Sequence, residues 1–473
     1  MLGGMRRALF AIVAVAAVAG LALGARWLWI AVHVGAGYAA KVTCSLAHLS
    51  HYDLRRVIQP YVSAEVAPLG PFLDVAVTEA GAEASVLRGW IRVRAVSRPD
   101  LGCTLLAGGV APSELASLRD ELPPRGVPDP ALAWPDGEAS PAAAPPPAVA
   151  RAIAHAFDEP GPPRPLRQTQ AVVVARDGRL VAERYAPGVD PAAPLLSWSM
   201  AKSVTMALVG TLVSEGRLQL EAPAPVPEWR RAGDPRGAIT LDQLLRQSSG
   251  LAFDETYGAV NDVSRMLFTA PDTGAFAAAF PPRSPPGSVW SYSSGTSNIV
   301  ARIVRDAFGS DLAAMVRFAR ERLFDPAGMT SALFEPDASG TFIGSSFVFM
   351  TARDWARFGE LFRRDGVWKG RRILPEGWVR YATTPTPRAS LGRYGAHWWL
   401  NAGEVGAPER RPWPGLPAET YAARGHSGQW VVVVPSARLV VVRLGLTLPD
   451  DEDDGTQELV AQLLAAFAAP GAT

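Results

Sequence analysis

The sequence predicts an α+β protein. Its main domain holds an antiparallel sheet built from N- and C-terminal strands, flanked by helices and carrying a mainly helical inserted region. An N-terminal transmembrane helix and a small mixed module precede it. Three observations lead there. An apolar run opens the chain, β-branched strands sit at both ends of a region starting near residue 148, and helical spacing fills the stretch between.

The run Ala8 to Ala25 contains no charge, follows Arg6 and Arg7, and continues past Arg26 as WLWIAVHVGAG. About 20 apolar residues span a bilayer core, and basic residues before the span favour a cytoplasmic N-terminus with the remainder outside. Residues 1–35 are therefore expected to be a signal anchor or a signal peptide. Small residues at Ala22 and Gly24 allow cleavage, while the extra apolar stretch Trp27–Val34 favours an uncleaved anchor. The chain is expected to be exported, to the periplasm or the outer face of the cytoplasmic membrane. There, the only two cysteines, Cys44 and Cys103, are expected to form a disulfide, the alternative being two separate buried thiols. No histidine stands near them at metal-ligand spacing, so they give no zinc signal, and the chemistry of the candidate residues described below is expected to need neither a metal nor an organic cofactor.

With 48% hydrophobic and 19% charged residues among 473, the composition is that of a globular protein. A net charge of +1, without a basic stripe interleaved with aromatics, argues against nucleic acid as a partner. Oligomeric state is not legible. Residues 36–122 read as a small module, with alternating strands in FLDVAVTEAG and EASVLRGWIRVRAVS and a short helix over APSELASLRDEL. Residues 123–147 are rich in proline and alanine and read as a linker or a strap across the surface. The main domain takes residues 148–473. It opens on the helix AVARAIAHAF and a hairpin turning at Asp177-Gly178, and it ends on strands YGAHWWLN, GQWVVVVP and RLVVVRLGL and a helix from Thr456 to Ala468.

One stretch imitates a nucleophile elbow: Gly425-His426-Ser427-Gly428. That motif needs a strand before its serine, a helix after it and glycine at the fifth position. Here the fifth residue is Gln429 and a β-branched strand follows. Of the six histidines only His397 and His426 lie late in the domain, and no serine sits in a motif that needs either as a triad base. The better nucleophile is Ser199, at the start of a helix with apolar Met200, Val204, Leu208 and Leu212 and with Gly216 as its cap. Lys202 lies one turn on, on the same face. A desolvated amine there can take the serine proton. Tyr292, on a turn-rich loop before the next helix, offers a phenol to the same centre.

Ser199-Met200-Ala201-Lys202, Tyr292-Ser293-Ser294 and His426-Ser427-Gly428, with TLDQLLRQSSGLAFDETYG and SSFVFMTARDWARFGELFRRDGVWKGRRILPEGW, resemble the serine β-lactamase and penicillin-binding-protein superfamily. The resemblance is strongest to its class C-like branch of esterases and 6-aminohexanoate-dimer hydrolases, and it covers about residues 148–470. It implies the β-lactamase/transpeptidase-like fold, with Ser199 acylated and with Lys202 and Tyr292 moving protons. The amides of Ser199 and Gln429 would form the oxyanion hole, and Ser294, His426, Ser427 and Gly428 would line the substrate. Two departures stand out. Ser294 replaces the asparagine of Tyr-x-Asn, and His426 replaces the lysine of Lys-Thr-Gly, which would make a poor anchor for a β-lactam carboxylate. The expected activity is therefore hydrolysis of a small-molecule ester or amide. The alternatives are a β-lactamase or D-Ala-D-Ala peptidase, and a catalytically silent receptor module.

Overall fold

The computed structural model describes residues 2–115, 122–141, 143–161, 166–258, 260–448 and 454–469. The first helix, α1, runs unbroken over Leu2–His48. It is long and apolar enough to cross a membrane, and its large side chains from Phe10 to Trp29 face outward. From Val32 onward the same helix is buried. The apolar stretch after Arg26 thus belongs to two environments, the outward-facing segment and a core element of the folded region.

Four antiparallel strands follow in sequential order: β1 (Leu73–Thr78), β2 (Gly81–Val86), β3 (Ile91–Arg98) and β4 (Gly102–Leu105). Their apolar face, with Ala82, Ala84, Val86 and Ala95, packs on the buried half of α1 in a core shared with the larger domain. The expected helix over 111–122 appears only as a 3-10 turn at Pro112–Glu114; residues 116–121 lie outside the described residues. Cys44 on α1 and Cys103 on β4 form a disulfide. Beside it Lys41 is paired with Glu335 of the larger domain, both side chains fully buried. Ser45 Oγ and the Cys103 amide donate to the same carboxylate, at 2.9 Å and 2.6 Å. The helix approaches the larger domain closely because Gly37 lacks a side chain: a Cβ there would meet the Phe268 carbonyl oxygen at 2.1 Å.

The proline-rich stretch lies as a strap. Arg357 donates to the carbonyls of Pro135 and Gly137, Arg353 binds Glu138, and the Trp134 indole is buried. Two arginines on one helix thereby satisfy backbone that proline leaves without ladder partners.

The larger domain then begins with α2 (Pro147–His155) and the hairpin β5 (Thr169–Arg176) and β6 (Arg179–Tyr185). The helical region includes α3 (Ala201–Ser214), α4 (Ser294–Asp306) and α5 (Ala352–Arg363). The chain returns through β7 (Trp399–Leu400), β8 (Tyr421–Gly425), β9 (Gln429–Val434), β10 (Leu439–Gly445) and the closing helix α6 (Thr456–Ala468). These strands make one six-stranded sheet, in the order β7-β8-β9-β10-β5-β6, with every neighbouring pair antiparallel. Valines alternate across it. Val172, Val174, Val432 and Val441 bury against α2 and α6, while Val173, Val431, Val433, Val440 and Val442 face the core on the other side.

Two differences from expectation have physical reasons. The strand expected over 394–401 narrows to Trp399–Leu400. The chain instead adds Tyr421–Gly425, whose sequence YAARG lacks β-branched residues and whose last residue is held to glycine by the backbone of the Ser197–Ser199 turn.

Breaking the buried Lys41–Glu335 pair leaves a charge without a partner, which typically costs about 3–5 kcal/mol. Glu335→Ala should therefore lower the thermal midpoint sharply, and Lys41→Met combined with Glu335→Leu should recover much of that loss. Differential scanning calorimetry of the three proteins checks this.

Candidate active site

Ser199 sits in a 3-10 turn, Trp198–Met200, that leads directly into α3. Trp198 holds a positive φ of 44°. For a bulky side chain that backbone is strained and needs its surroundings to hold it. They do. The indole Nε1 donates to Tyr61 Oη at 3.2 Å, and the ring lies near Tyr38, Phe347 and His426. Tyr38 and Tyr61 come from the N-terminal region, so the segment before the main domain supports the residue beside the candidate nucleophile.

Lys202 stands one turn along, 1% exposed. Its Nζ donates to Ser199 Oγ at 2.9 Å, to Ser294 Oγ at 3.0 Å and to the Ser345 carbonyl at 3.1 Å. These three bonds match the three protons of an ammonium. Nζ also lies 4.7 Å above the centre of the Tyr292 ring. Burial pulls the amine down to about 8, and the charge of Glu255 opposes the fall. An amine at that value is half neutral near pH 8, far closer to working pH than an ordinary lysine, as a general base requires.

Glu255 was not singled out in the sequence. Its carboxylate accepts from Ser294 N at 2.7 Å and Ser294 Oγ at 2.5 Å, at the N-terminus of α4, where an anion is favoured. Desolvation raises it to about 7, against the lowering effects of Lys202 and the Ser294 hydrogen bonds. Glu255, Ser294, Lys202 and Ser199 thus form a continuous hydrogen-bonded chain. The available signal was an acidic residue in FDETYG following SSG, and no spacing rule connects it to Lys202.

His397 closes the site from below. Its Nδ1 pairs with the Lys202 carbonyl at 3.0 Å and its Nε2 with Ser297 Oγ at 3.2 Å. Burial, then the charge of Lys202, drives it down to about 3, so this imidazole is neutral and structural.

The segment expected to face the nucleophile is a hairpin turn. Gly425 pairs with Gln429, and His426, Ser427 and Gly428 make the bend, with φ of 58° at Ser427 and 77° at Gly428. Gly425 is the residue pressed against the nucleophile turn. A Cβ there would meet the Ser197 carbonyl oxygen at 2.2 Å and the Ser199 amide at 2.9 Å. Gln429 lies across the hairpin on β9, its side chain bonded to the Ser427 and Gly445 carbonyls. Ser427 is fully buried and shares a hydrogen bond of 2.9 Å with Tyr61. Ser294 is equally buried, between Lys202 and Glu255. His426 Nε2 pairs with Glu65 at 2.9 Å and its ring stacks on Tyr257. The structure therefore brings together Ser199, Lys202, Tyr292 and Ser294, and sets His426 at the edge.

Gly425→Ala should displace the Ser199 turn while leaving the sheet paired. Fluorophosphonate labelling of Ser199 is expected to slow by at least about 10²-fold, the scale of losing one oxyanion donor. The far-UV circular dichroism spectrum should be unchanged.

Comparison with known proteins agrees with this geometry. The Beta-lactamase family model matches residues 164–466. The chain is 26% identical over 263 residues to a 6-aminohexanoate-dimer hydrolase of Paenarthrobacter ureafaciens, covering 50% of this chain and 66% of that protein. Among solved structures, a family VIII carboxylesterase superposes with a TM-score of 0.51 at 17% identity, covering 67% of this chain and 96% of that one. A penicillin-binding protein homologue from Caulobacter crescentus superposes at 0.50 and 19% identity, covering 69% and 98%. At those identities the superpositions speak for the fold. The family match spans well over half of the sequence, and the chain belongs to the Beta-lactamase family of serine hydrolases.

Proposed function

We propose that this protein is an exported, membrane-anchored serine hydrolase that cleaves a small-molecule ester or amide through an acyl-enzyme on Ser199. The observation that carries the reading is the buried Lys202 ammonium held 2.9 Å from Ser199 Oγ, with its proton affinity lowered by burial. In the neutral form Lys202 takes the Ser199 proton as Oγ bonds to the substrate carbonyl carbon. The tetrahedral oxyanion is met by the Ser199 amide and by an amide of the β8–β9 turn. The close approach of Gly425 to Ser199 N favours the next amide, that of His426, over the amide of Gln429. The carbon–oxygen or carbon–nitrogen bond then breaks, and the leaving group takes the proton back through Lys202 and Tyr292. Water attacks the acyl-enzyme, its proton passing to Lys202 with Glu255 balancing the charge; the acyl carbon–Oγ bond then breaks as Lys202 returns that proton to Ser199 Oγ, and the acid product leaves.

The export reading is supported by the outward-facing apolar segment of α1 and by the disulfide, which fits an oxidising compartment. A penicillin-directed activity is disfavoured by a specific contact. Where a lysine would meet the substrate carboxylate, His426 is paired with Glu65, an acid that would repel it. The hydrolase from Paenarthrobacter ureafaciens favours an amide-cleaving member, and the carboxylesterase favours an ester-cleaving one.

The purified full chain should turn over p-nitrophenyl esters and react with a fluorophosphonate, and both reactions should vanish in Ser199→Ala. Labelling by fluorescent penicillin without ester turnover would replace this reading with the penicillin-recognising one. Absence of any Ser199-dependent reaction would leave a binding module.

A further inference from the structure

A cleft of about 460 Å³ lies between α1 and the larger domain, within the size range of small-molecule sites. Its lining is mostly apolar. At the outer end stand Trp27, Leu28 and Phe72, all more than half exposed. At the inner end stand the buried Trp198 and the half-buried His426, with Tyr257, 47% exposed, at their rim. Each inner residue neighbours the candidate site along the chain. Trp198 precedes Ser199, His426 follows the Gly425 that abuts the Ser199 amide, and Tyr257 lies two residues after Glu255 and stacks on His426.

The outer end has an equally specific location. Trp27 and Leu28 belong to the outward-facing apolar segment of α1, so the cleft opens where that segment meets the folded region. Trp27 and Trp29 are the residue type that settles at a membrane–water boundary. The β2–β3 turn carries Leu87 and an 88% exposed Trp90, two further apolar side chains on the helix-packed module. An apolar cleft that opens at the outward-facing apolar segment of α1 and ends at Trp198 and His426, next to Ser199 rather than lined by it, fits one occupant best, an acyl chain entering from the membrane.

We infer that the substrate of this site is a long-chain acyl ester presented by the bilayer, its acyl chain lying in the α1 cleft and its carbonyl reaching Ser199. The inference deepens the serine-hydrolase reading and rests on it. Among the described residues lining the cleft the one acid is Glu65, beside His426, where it disfavours a free carboxylate and suits an uncharged ester. The reaction breaks the acyl carbon–oxygen bond, adds water, and yields a fatty acid and an alcohol.

The test uses the full chain in phosphatidylcholine vesicles, with p-nitrophenyl esters of two to twelve acyl carbons. A buried methylene changes binding by about fourfold, so kcat/KM should climb with acyl length over several methylenes. Ala31→Trp, which fills the cleft from α1, should cut the twelve-carbon to two-carbon ratio of kcat/KM by at least tenfold. Leu69→Trp, from the opposite wall, should do the same. A flat dependence on acyl length, or a ratio unmoved by either variant, would overturn the inference. Binding separates its failure from failure of the hydrolase reading. In Ser199→Ala, quenching of Trp27 and Trp198 by a doxyl-labelled twelve-carbon ester should saturate, and Ala31→Trp should abolish that saturation. If no ester is turned over and this binding persists, the cleft assignment stands while the hydrolase reading falls. If turnover is present and the binding is absent, the reverse holds.

Discussion

Lys202 is an amine placed where water is not, and the rest of the site follows from that. An isolated buried ammonium is costly, so the fold must either neutralise it or surround it with acceptors. Here it does both in part. Three oxygen acceptors converge on Nζ, the Tyr292 ring lies beneath it, and Glu255 balances its charge through Ser294. The amine that results is held to one direction and lies close to deprotonation, and Ser199 is the only hydroxyl among its partners that is not itself fully buried.

Holding Ser199 in front of that amine requires a strained turn, and the strain is borne by neighbours from two parts of the chain. Trp198 keeps its positive φ because Tyr38, Tyr61, Phe347 and His426 surround and hold its ring. The buried half of α1, anchored by the Cys44–Cys103 disulfide and the Lys41–Glu335 pair, carries Tyr38 into position. Tyr38 and Tyr61 of the N-terminal region are in this sense part of the architecture of the candidate site. The same helix carries the outward-facing apolar segment, long and apolar enough to cross a membrane, which ties the geometry of the site to that segment.

Legibility in the sequence followed the range of the interactions involved. Local periodicity was enough for the hairpin at Asp177-Gly178, the valine-rich strands, the Ser199 helix and the closing helix, because each is set by residues a few positions apart. The Ser199–Lys202 pairing is one helical turn, and it was legible for the same reason. Strand β8 is not legible because YAARG has no β-branched residue, and its Gly425 answers to a turn more than 200 positions earlier rather than to strand propensity. Glu255 was missed because only the tertiary fold brings it to the start of α4. Ser294 was read as facing the substrate, but its hydroxyl is consumed between Lys202 and Glu255. Gln429 was read from its place after a glycine, whereas the close approach to Ser199 belongs to Gly425.

The central claim is that a buried, charge-balanced Lys202 is the base for Ser199. Its most direct test is the pH dependence of the second-order rate of fluorophosphonate labelling, in the full chain and in Glu255→Gln. The reactive form has Lys202 unprotonated, so the rate should rise with pH through a midpoint near 8. Glu255 as an anion holds that midpoint up, and its removal should move the rise to lower pH. A midpoint near the ordinary lysine value of 10.5, or one that Glu255→Gln leaves in place or moves upward, would contradict the account.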